Sequence, residues 1–342
     1  TSKHSLALVF GGRSGEHEVS LMSARSVCSV LSKDDFEITE IGITREGLWF
    51  TGHNVLEAFE ANDHSTLTPI ALLPEPHDHS LFIRKGNLMQ SLPPVDVFFP
   101  VTHGTFGEDG TLQGLFELAD VAYVGCGVLA SAVGMDKCLF KDVMRANQIP
   151  VAQSILLNRS EILSSMDESI ARIEKAIPYP VFIKPANLGS SVGITKCRSR
   201  SDLYEGLLEA SLYDRRVLVE QGINAREIEV SVLGNEDVIV SIPGEIRPSD
   251  EFYTYEAKYY DEASELIIPA KVTESEADSL KSLAIKAYKA IDGAGMARVD
   301  FLMDRDSHEI YLSEINTIPG FTRISMYPKL MQAVGIPYEE LV

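Results

Sequence analysis

Two stretches near the C-terminal end decide the architecture: Ala297-Arg298-Val299-Asp300-Phe301 and Glu309-Ile310-Tyr311-Leu312-Ser313-Glu314-Ile315-Asn316. Between them, Asp304-Arg305-Asp306-Ser307 reads as a hairpin turn. Side chains on a strand alternate between faces with period two. A hairpin centred on residue 307 therefore sets Asp300 opposite Glu314 and Arg298 opposite Asn316, with all four on one face. Two carboxylates and an amide oxygen converging there make a hard-oxygen site suited to magnesium, which keeps water and nucleotide phosphates as its other ligands. The same spacing also fits a solvated hairpin face with an Arg–Asp pair. The loop that follows, Thr317-Ile318-Pro319-Gly320-Phe321-Thr322, favours the metal site, because it puts bare backbone amides where an oxyanion can form.

Upstream, Lys184-Pro185-Ala186-Asn187-Leu188-Gly189-Ser190-Ser191-Val192-Gly193 sets a lysine at the end of one strand and a Gly-Ser turn before the next. Amides and hydroxyls in such a turn can wrap phosphates while the lysine neutralises them. A plain hairpin tip has the same composition. No Gly-Lys-Ser/Thr occurs, so this is not a Walker loop. Gly189, Ser191 and Gly193 also match G-x-S-x-G, which opens a rival reading: a serine hydrolase with Ser191 as nucleophile and Asp300 and His308 completing the triad. Ile194-Thr195-Lys196-Cys197 reads as a strand, where that elbow needs a helix.

The remaining chain sets the frame. Its 342 residues suggest two or three domains, and 45% hydrophobic residues can fill a sizeable core. Cys28, Cys126, Cys138 and Cys197 are widely spaced, as expected of reduced, buried thiols. A formal net charge of -20 disfavours nucleic acid and anionic membranes as partners. No apolar run is long enough for a signal peptide or a membrane span, so the expectation is a soluble, cytoplasmic chain. Leu341-Val342 falls where a helix is starting, which suggests a further C-terminal segment. Leu6–Phe10 reads as a strand ending in Gly11-Gly12, and Val19, Met22, Val27 and Val30 recur at helical spacing. Phe36–Thr44 and Val95–Val101 read as further strands, giving a βαβ pattern and a parallel sheet with helices on both faces. Residue 13 is Arg where a dinucleotide turn needs Gly, so no nicotinamide site is read. Glu16 or Glu18, beyond that strand's carboxyl end, can meet a ligand ammonium. A helix is expected near 136–147, and another after the Thr273/Glu276 capping box.

Taken together these stretches resemble the D-alanine–D-alanine ligases. The matches are Phe10-Gly11-Gly12 with Ser14, Glu16 and Glu18-Val19-Ser20; His103-Gly104; Gly107-Glu108-Asp109-Gly110-Thr111-Leu112-Gln113-Gly114; Met135-Asp136-Lys137; Lys184-Pro185 with Gly189–Gly193; Glu256-Ala257-Lys258-Tyr259; Ala297–Asp300; and Glu314–Thr317 with Pro319–Thr322. They span nearly the whole chain, in the family's order.

The resemblance implies an α/β and α+β chain: a Rossmann-like N-terminal domain over 1–125, then a two-lobed ATP-grasp fold with a central lobe over 126–219 and a C-terminal lobe over 220–342. It implies that Lys137, Lys184 and Ser191 hold ATP phosphates, that Gln221-Gly222-Ile223 faces the adenine, and that Glu220 and Glu227 contact the adenosine. Asp300, Glu314 and Asn316 match the ligands of two magnesium ions, with manganese as a substitute. Glu16 would place the first D-alanine's ammonium, with His103 also in the substrate-binding set. Arg298 and the Gly320 amide would meet the oxyanion, and Ser325 and Met326 would surround the second substrate's carboxylate. Lys258 would reach the transferred phosphate from a lid that includes 248–255. Tyr259 would bond Ser190, which contacts Glu16. Tyr at 259, where D-alanyl-D-lactate-forming relatives with this lid carry Phe, points to a D-alanyl-D-alanine product; a D-alanine–D-lactate or D-alanine–D-serine ligase is the alternative reading. A homodimer is implied as well. Met326 stands where many members carry Leu, and Ala186-Asn187-Leu188 where others carry a charge.

Overall fold

The structure is a computed structural model that describes residues 3–76, 79–187, 193–247 and 265–342. Seven strands form the first sheet: β1 (His4–Gly11), β2 (Phe36–Ile43), β3 (Trp49–Thr51), β4 (Thr68–Leu72), β5 (Ser80–Lys85), β6 (Leu88–Pro94) and β7 (Val97–Pro100), in the order β6-β5-β4-β3-β2-β1-β7. β1 is apolar on both faces because both are covered. Leu6, Leu8 and Phe10 pack with helix His17–Cys28 on one side, and Ala7 and Val9 pack with Leu112 and Phe116 of helix Thr111–Leu118 on the other. Helices do lie on both faces, but the expected parallel sheet is corrected. β1 is parallel to β2 and β7, whereas β2 through β6 pair antiparallel. Connections such as Thr44–Leu48 and Gly86–Asn87 are far too short for a parallel crossover.

The second sheet joins β8 (Ser154–Asn158), β9 (Val181–Pro185), β10 (Thr195–Cys197) and β11 (Arg216–Gln221), in the order β10-β9-β11-β8. Val181, Ile183, Val217 and Val219 turn to a core shared with the helices of this region. By alternation, Phe182, Lys184, Leu218 and Glu220 turn to the opposite face. The third sheet contains β12 (Ala225–Gly234), β13 (Val238–Val240), β14 (Gly244–Arg247), β15 (Glu265–Ile267), β16 (Met296–Asp304) and β17 (Ile310–Asn316). Its path is β15-β14-β12-β16-β17, with β13 paired to β12. Ile228, Val230, Val232, Ala297, Val299, Phe301 and Met303 meet helix Glu274–Ala290 in a second core. That helix starts at the expected capping box: Thr273 Oγ1 accepts the Glu276 N–H, and Glu276 Oε2 accepts the Thr273 N–H.

Helix Lys137–Ala146 is a wedge between these two sheets. Phe140 and Met144 enter the core of the third sheet, while Cys138 packs on Leu218 and Ala186 of the second. The C-terminal helix Met326–Ala333, which was not expected from the sequence, returns to the first sheet. Tyr327 and Met331 share a core with Leu6, Leu8 and Phe10.

The chain passes from the second sheet to the third through Gln221-Gly222-Ile223-Asn224. There the Gly222 N–H donates to Pro180 O at 2.9 Å, and a Cβ on Gly222 would fall 2.6 Å from that oxygen. Gly222→Ala should therefore cost about 1–3 kcal/mol, seen as a lower midpoint in thermal unfolding. An unchanged midpoint would mean the crossing yields without cost.

Candidate active site

The hairpin of β16 and β17 pairs Arg298 with Asn316 and Asp300 with Glu314, as the alternation predicted. The turn itself is not centred on residue 307. Asp304 N–H donates to Glu309 O, and Phe301 pairs with Leu312, a register one residue shorter. A bulge at Ser313 makes up the difference, since Leu312 pairs with Phe301 and Glu314 with Asp300. Leu312 and Ile315, three residues apart, both reach the core because of it. β12 adds to the same face by pairing Glu229 with Asp300 and Ser231 with Arg298. Arg298 Nε and Nη2 donate to Asp300 Oδ1 and Oδ2 at 2.8 and 2.7 Å, and Nε also lies 2.8 Å from Glu229 Oε2. Burial opposes the guanidinium's charge, but Asp300 and Glu229 outweigh it and raise its pKa further. Asn316 Nδ2 donates to Asp300 Oδ2 at 3.0 Å, which leaves Asn316 Oδ1 to face elsewhere. Glu229 was missed in the sequence, though the alternation of Glu227, Glu229 and Ser231 with Ile228, Val230 and Val232 carries its signal.

On the facing sheet, Glu220 is buried between two lysines. Lys184 Nζ donates to Oε1 at 2.8 Å, and Lys141 Nζ stands 2.5 Å from Oε2. Burial alone would raise the Glu220 pKa, but Lys184 and Lys141 pull it down to about 2. Lys137 opens the same wedge helix, and its N–H donates to Ala186 O at 3.0 Å, which sets it beside the end of β9. Asp136 caps that helix through the Cys138 and Leu139 N–H groups and is paired with Arg216. Gln221, Gly222 and Ile223 lie at the crossing described above, and Glu227 stands on β12 opposite Leu302.

The first sheet supplies the third wall. Ser14 Oγ donates to His103 O at 2.6 Å and accepts the Glu16 N–H at 3.1 Å. Gly104, at φ +74°, allows the close approach: a Cβ there would fall 2.5 Å from Glu16 Oε2. Glu16 is buried, whereas Glu18 is exposed and paired with Arg45, so Glu16 is the carboxylate that faces inward. His103 grips the Pro-Gly loop. Its Nδ1 meets Ile318 O at 2.9 Å, so that nitrogen carries the proton, and Nε2 accepts from Ser23 Oγ at 2.9 Å. Burial lowers the His103 pKa and keeps the ring neutral. Glu108, also missed in the sequence, accepts the Gly104 and Ile318 N–H groups at 2.9 and 3.2 Å. Burial, then the charge of Glu16, pushes it up to about 8. Both polar groups of Ile318 are thus held by the N-terminal loop, and Gly320 follows two residues later. A Cβ on Gly320 would lie 3.2 Å from Ser325 Oγ, which also bonds Thr322. Ser325 stands at the N-cap position of helix Met326–Ala333 with its hydroxyl turned to Thr322, while the Met326 side chain packs on Ile246 and Leu330.

The serine-hydrolase reading is overturned. β9 and β10, on either side of the serine-bearing stretch, pair antiparallel, so a strand and not the required helix follows it. His308 sits exposed at the hairpin turn, bonded to Glu276, and Asp300 is engaged by Arg298 and Asn316. Ser190, Ser191, Lys258, Tyr259 and the proposed lid over 248–255 lie outside the described residues.

A mixed N-terminal sheet followed by two antiparallel sheets, with a lysine-rich cluster facing an acidic one, is the architecture of an ATP-grasp ligase. Two family models match: "D-ala D-ala ligase N-terminus" over residues 5–126 and "D-ala D-ala ligase C-terminus" over 143–342. A D-alanine–D-alanine ligase of Heliobacterium modesticaldum is 49% identical over 99% of this chain and 93% of its own length. One from Caldicellulosiruptor bescii is 48% identical over 100% and 93%. The crystal structure of the VanG D-Ala:D-Ser ligase from Enterococcus faecalis matches with a TM-score of 0.88 at 35% identity, covering 99% of this chain and 97% of that one. The chain belongs to the D-alanine–D-alanine ligase family.

The Glu220 charge cluster has a pH signature. A carboxylate near 2 in the folded state and near its ordinary 4.5 when unfolded contributes stability that is complete above pH 4.5 and lost as the pH falls toward 2. Wild-type stability should fall in that window by on the order of 3 kcal/mol. Glu220→Gln should be less stable at neutral pH and flatter below pH 4.5 in acid-unfolding curves. Parallel curves for the two proteins would remove the assignment.

Proposed function

We propose that this chain joins two D-alanines into D-alanyl-D-alanine, with ATP converted to ADP and phosphate, as a step in building peptidoglycan precursors. The observation that carries this reading is the shared face of Asp300, Glu314, Asn316 and Arg298 beside a loop gripped by the substrate-side sheet. We read the three sheets as three domains, over 1–125, 126–219 and 220–342, acting in the cytoplasm as a homodimer.

In this reading the first D-alanine's carboxylate attacks the terminal phosphorus of ATP and ADP leaves, giving an acyl phosphate. The second D-alanine's amine then attacks the acyl carbon and phosphate departs. Glu16 holds the first ammonium, with His103 and Glu108 fixing the loop beside it. Arg298 is oriented by Asp300 and Glu229, and it meets the oxyanion together with the Gly320 N–H. The amides at the start of helix Met326–Ala333, beside Ser325, receive the second carboxylate. Lys137, Lys184 and Ser191 hold the phosphates, and Glu220, Gln221, Gly222, Ile223 and Glu227 line the adenosine side. Asp300, Glu314 and Asn316 offer two carboxylates and an amide oxygen, a donor set that fits magnesium. When bound, magnesium ions (or manganese) would neutralise phosphate charge during transfer. Lys258 and the Tyr259–Ser190 pair keep the roles that the resemblance assigns them.

The match to a D-Ala:D-Ser ligase fold raises D-serine as second substrate, while the curated relatives at 48–49% identity favour D-alanine. Incubation with ATP and magnesium should release phosphate with D-alanine and not with L-alanine. With D-serine or D-lactate present, D-alanyl-D-alanine should remain the main product. Asp300→Asn and Glu314→Gln should each lower turnover by on the order of 10²–10³-fold with the circular dichroism spectrum unchanged. Wild-type rates in either variant, or D-alanine-independent phosphate release alone, would defeat the reading.

A further inference from the structure

Counted formally, the three side chains of the Lys141–Glu220–Lys184 cluster carry one more positive charge than negative, and they are largely shielded from solvent. The side chains of Lys141 and Glu220 are 2% and 4% exposed, and that of Lys184 is 18% exposed. Lys141 comes from the wedge helix, one turn beyond Lys137, and reaches the carboxylate from the side opposite Lys184. Its contact is an ion pair without the angles of a directed hydrogen bond. Its role was not readable in the sequence, where a lysine on an amphipathic helix looks like a solvated one.

Burying a net charge is unfavourable, and an anion relieves it. The lysine at the open end of the cluster, Lys184, is the one an arriving anion can draw away. Once it leaves, Glu220 would be a buried carboxylate without a partner, a strongly unfavourable state, if Lys184 were its only counter-charge. Lys141 is the second counter-charge, and its burial keeps it from following the anion. We propose that Lys141 is a positioning residue for the nucleotide: it retains the Glu220 carboxylate so that Lys184 can exchange that carboxylate for a phosphate. This rests on the reading that nucleotide phosphates lie at Lys184. Burial lowers the Lys141 pKa and the charge of Lys184 adds to that, while Glu220 opposes both, so departure of Lys184 removes one of the effects that lower it and favours the Lys141–Glu220 pair. The cluster then works as a relay in which the phosphate takes over the outer lysine and leaves a neutral inner pair.

The test compares ADP with adenosine, since only the former needs Lys184 to move. Both are measured as competitive inhibitors against ATP, and the readout is the ratio of the adenosine inhibition constant to that of ADP. Lys141→Met should lower this ratio on the order of tenfold, because ADP binding then strands Glu220, while adenosine inhibition stays within about twofold. Lys184→Met should also lower it, by removing the phosphate contact. In a Glu220→Gln background the further change Lys141→Met should move the ratio by less than about twofold, since no carboxylate is left to strand. That pair of variants also carries the test if Lys141→Met alone does not fold. A drop in the ratio for Lys184→Met but not for Lys141→Met would overturn the role of Lys141 and leave the phosphate placement standing. No drop for Lys184→Met would overturn the placement itself. Equal weakening of ADP and adenosine by Lys141→Met would reduce Lys141 to a structural residue. A tenfold drop from Lys141→Met in the Glu220→Gln background would mean that Lys141 meets the phosphate directly, which also overturns the relay.

Discussion

The acidic face of the third sheet depends on one extra residue. Near its turn the hairpin of β16 and β17 runs in a register that would put Ser313 opposite Asp300. Continued unchanged, that register would send Glu314 and Asn316 into the apolar core and bring Ile315 to the polar side, because a one-residue slip exchanges the faces of a strand. The bulge at Ser313 reverses this. Leu312 and Ile315 both stay in the core, and Glu314 and Asn316 join Asp300 and Arg298. The hydrophobic requirement of the core and the polar requirement of the site are met by the same irregularity, so neither can be altered alone.

Around that face the other walls are held by contacts that cross between sheets. Helix Lys137–Ala146 packs apolar residues on the third sheet and sets Lys141 over the second, so it fixes the spacing of the lysine cluster from the acids. The charges of Glu314 and Glu227 act on Lys184 in the same direction as Glu220. His103 holds the C=O of Ile318 and Glu108 accepts its N–H, so the loop that carries Gly320 is aligned to the sheet that carries Glu16. The result is a site whose groups come from separated parts of the chain but whose positions are set by a few buried polar bonds.

Much of this was legible from local pattern. Period-two alternation found the pairing of Arg298, Asp300, Glu314 and Asn316, and the capping box found the start of helix Glu274–Ala290. The hairpin's centre was placed half a residue away from the real turn, and the inferred pairing held only because the bulge restored it. The three-residue spacing of Leu312 and Ile315 was the visible sign of that slip. Strands β3 to β6 were not read: β3 has only three residues and β6 is mostly exposed, so neither carries a clear apolar alternation. Lys141, Glu229 and Glu108 escaped for a different reason. Each is a charged residue whose burial comes from a neighbouring element, and a single sequence does not record which charges the fold will enclose. Local pattern left Glu16 and Glu18 equivalent; the resemblance chose Glu16, and the structure turns Glu16 inward while Glu18 is paired with Arg45.

The first sheet's inner core closes on Phe321, Tyr327, Met331 and Tyr338, side chains that enter the sequence long after Leu6, Leu8 and Phe10. During synthesis the N-terminal strands leave the ribosome first, with one apolar face still lacking its cover. That face waits for nearly the entire chain to emerge. Contacts of such sequence separation form slowly, because a long loop must close before they contribute. The same segment carries Ser325 and the Pro-Gly loop, so completion of this core and assembly of the site are one event. A partly made chain would hold its lysine cluster early but would have neither the acidic hairpin nor the loop beside it. The apolar face of the first strands is therefore closed only once the segment from Phe321 to Tyr338 has been made.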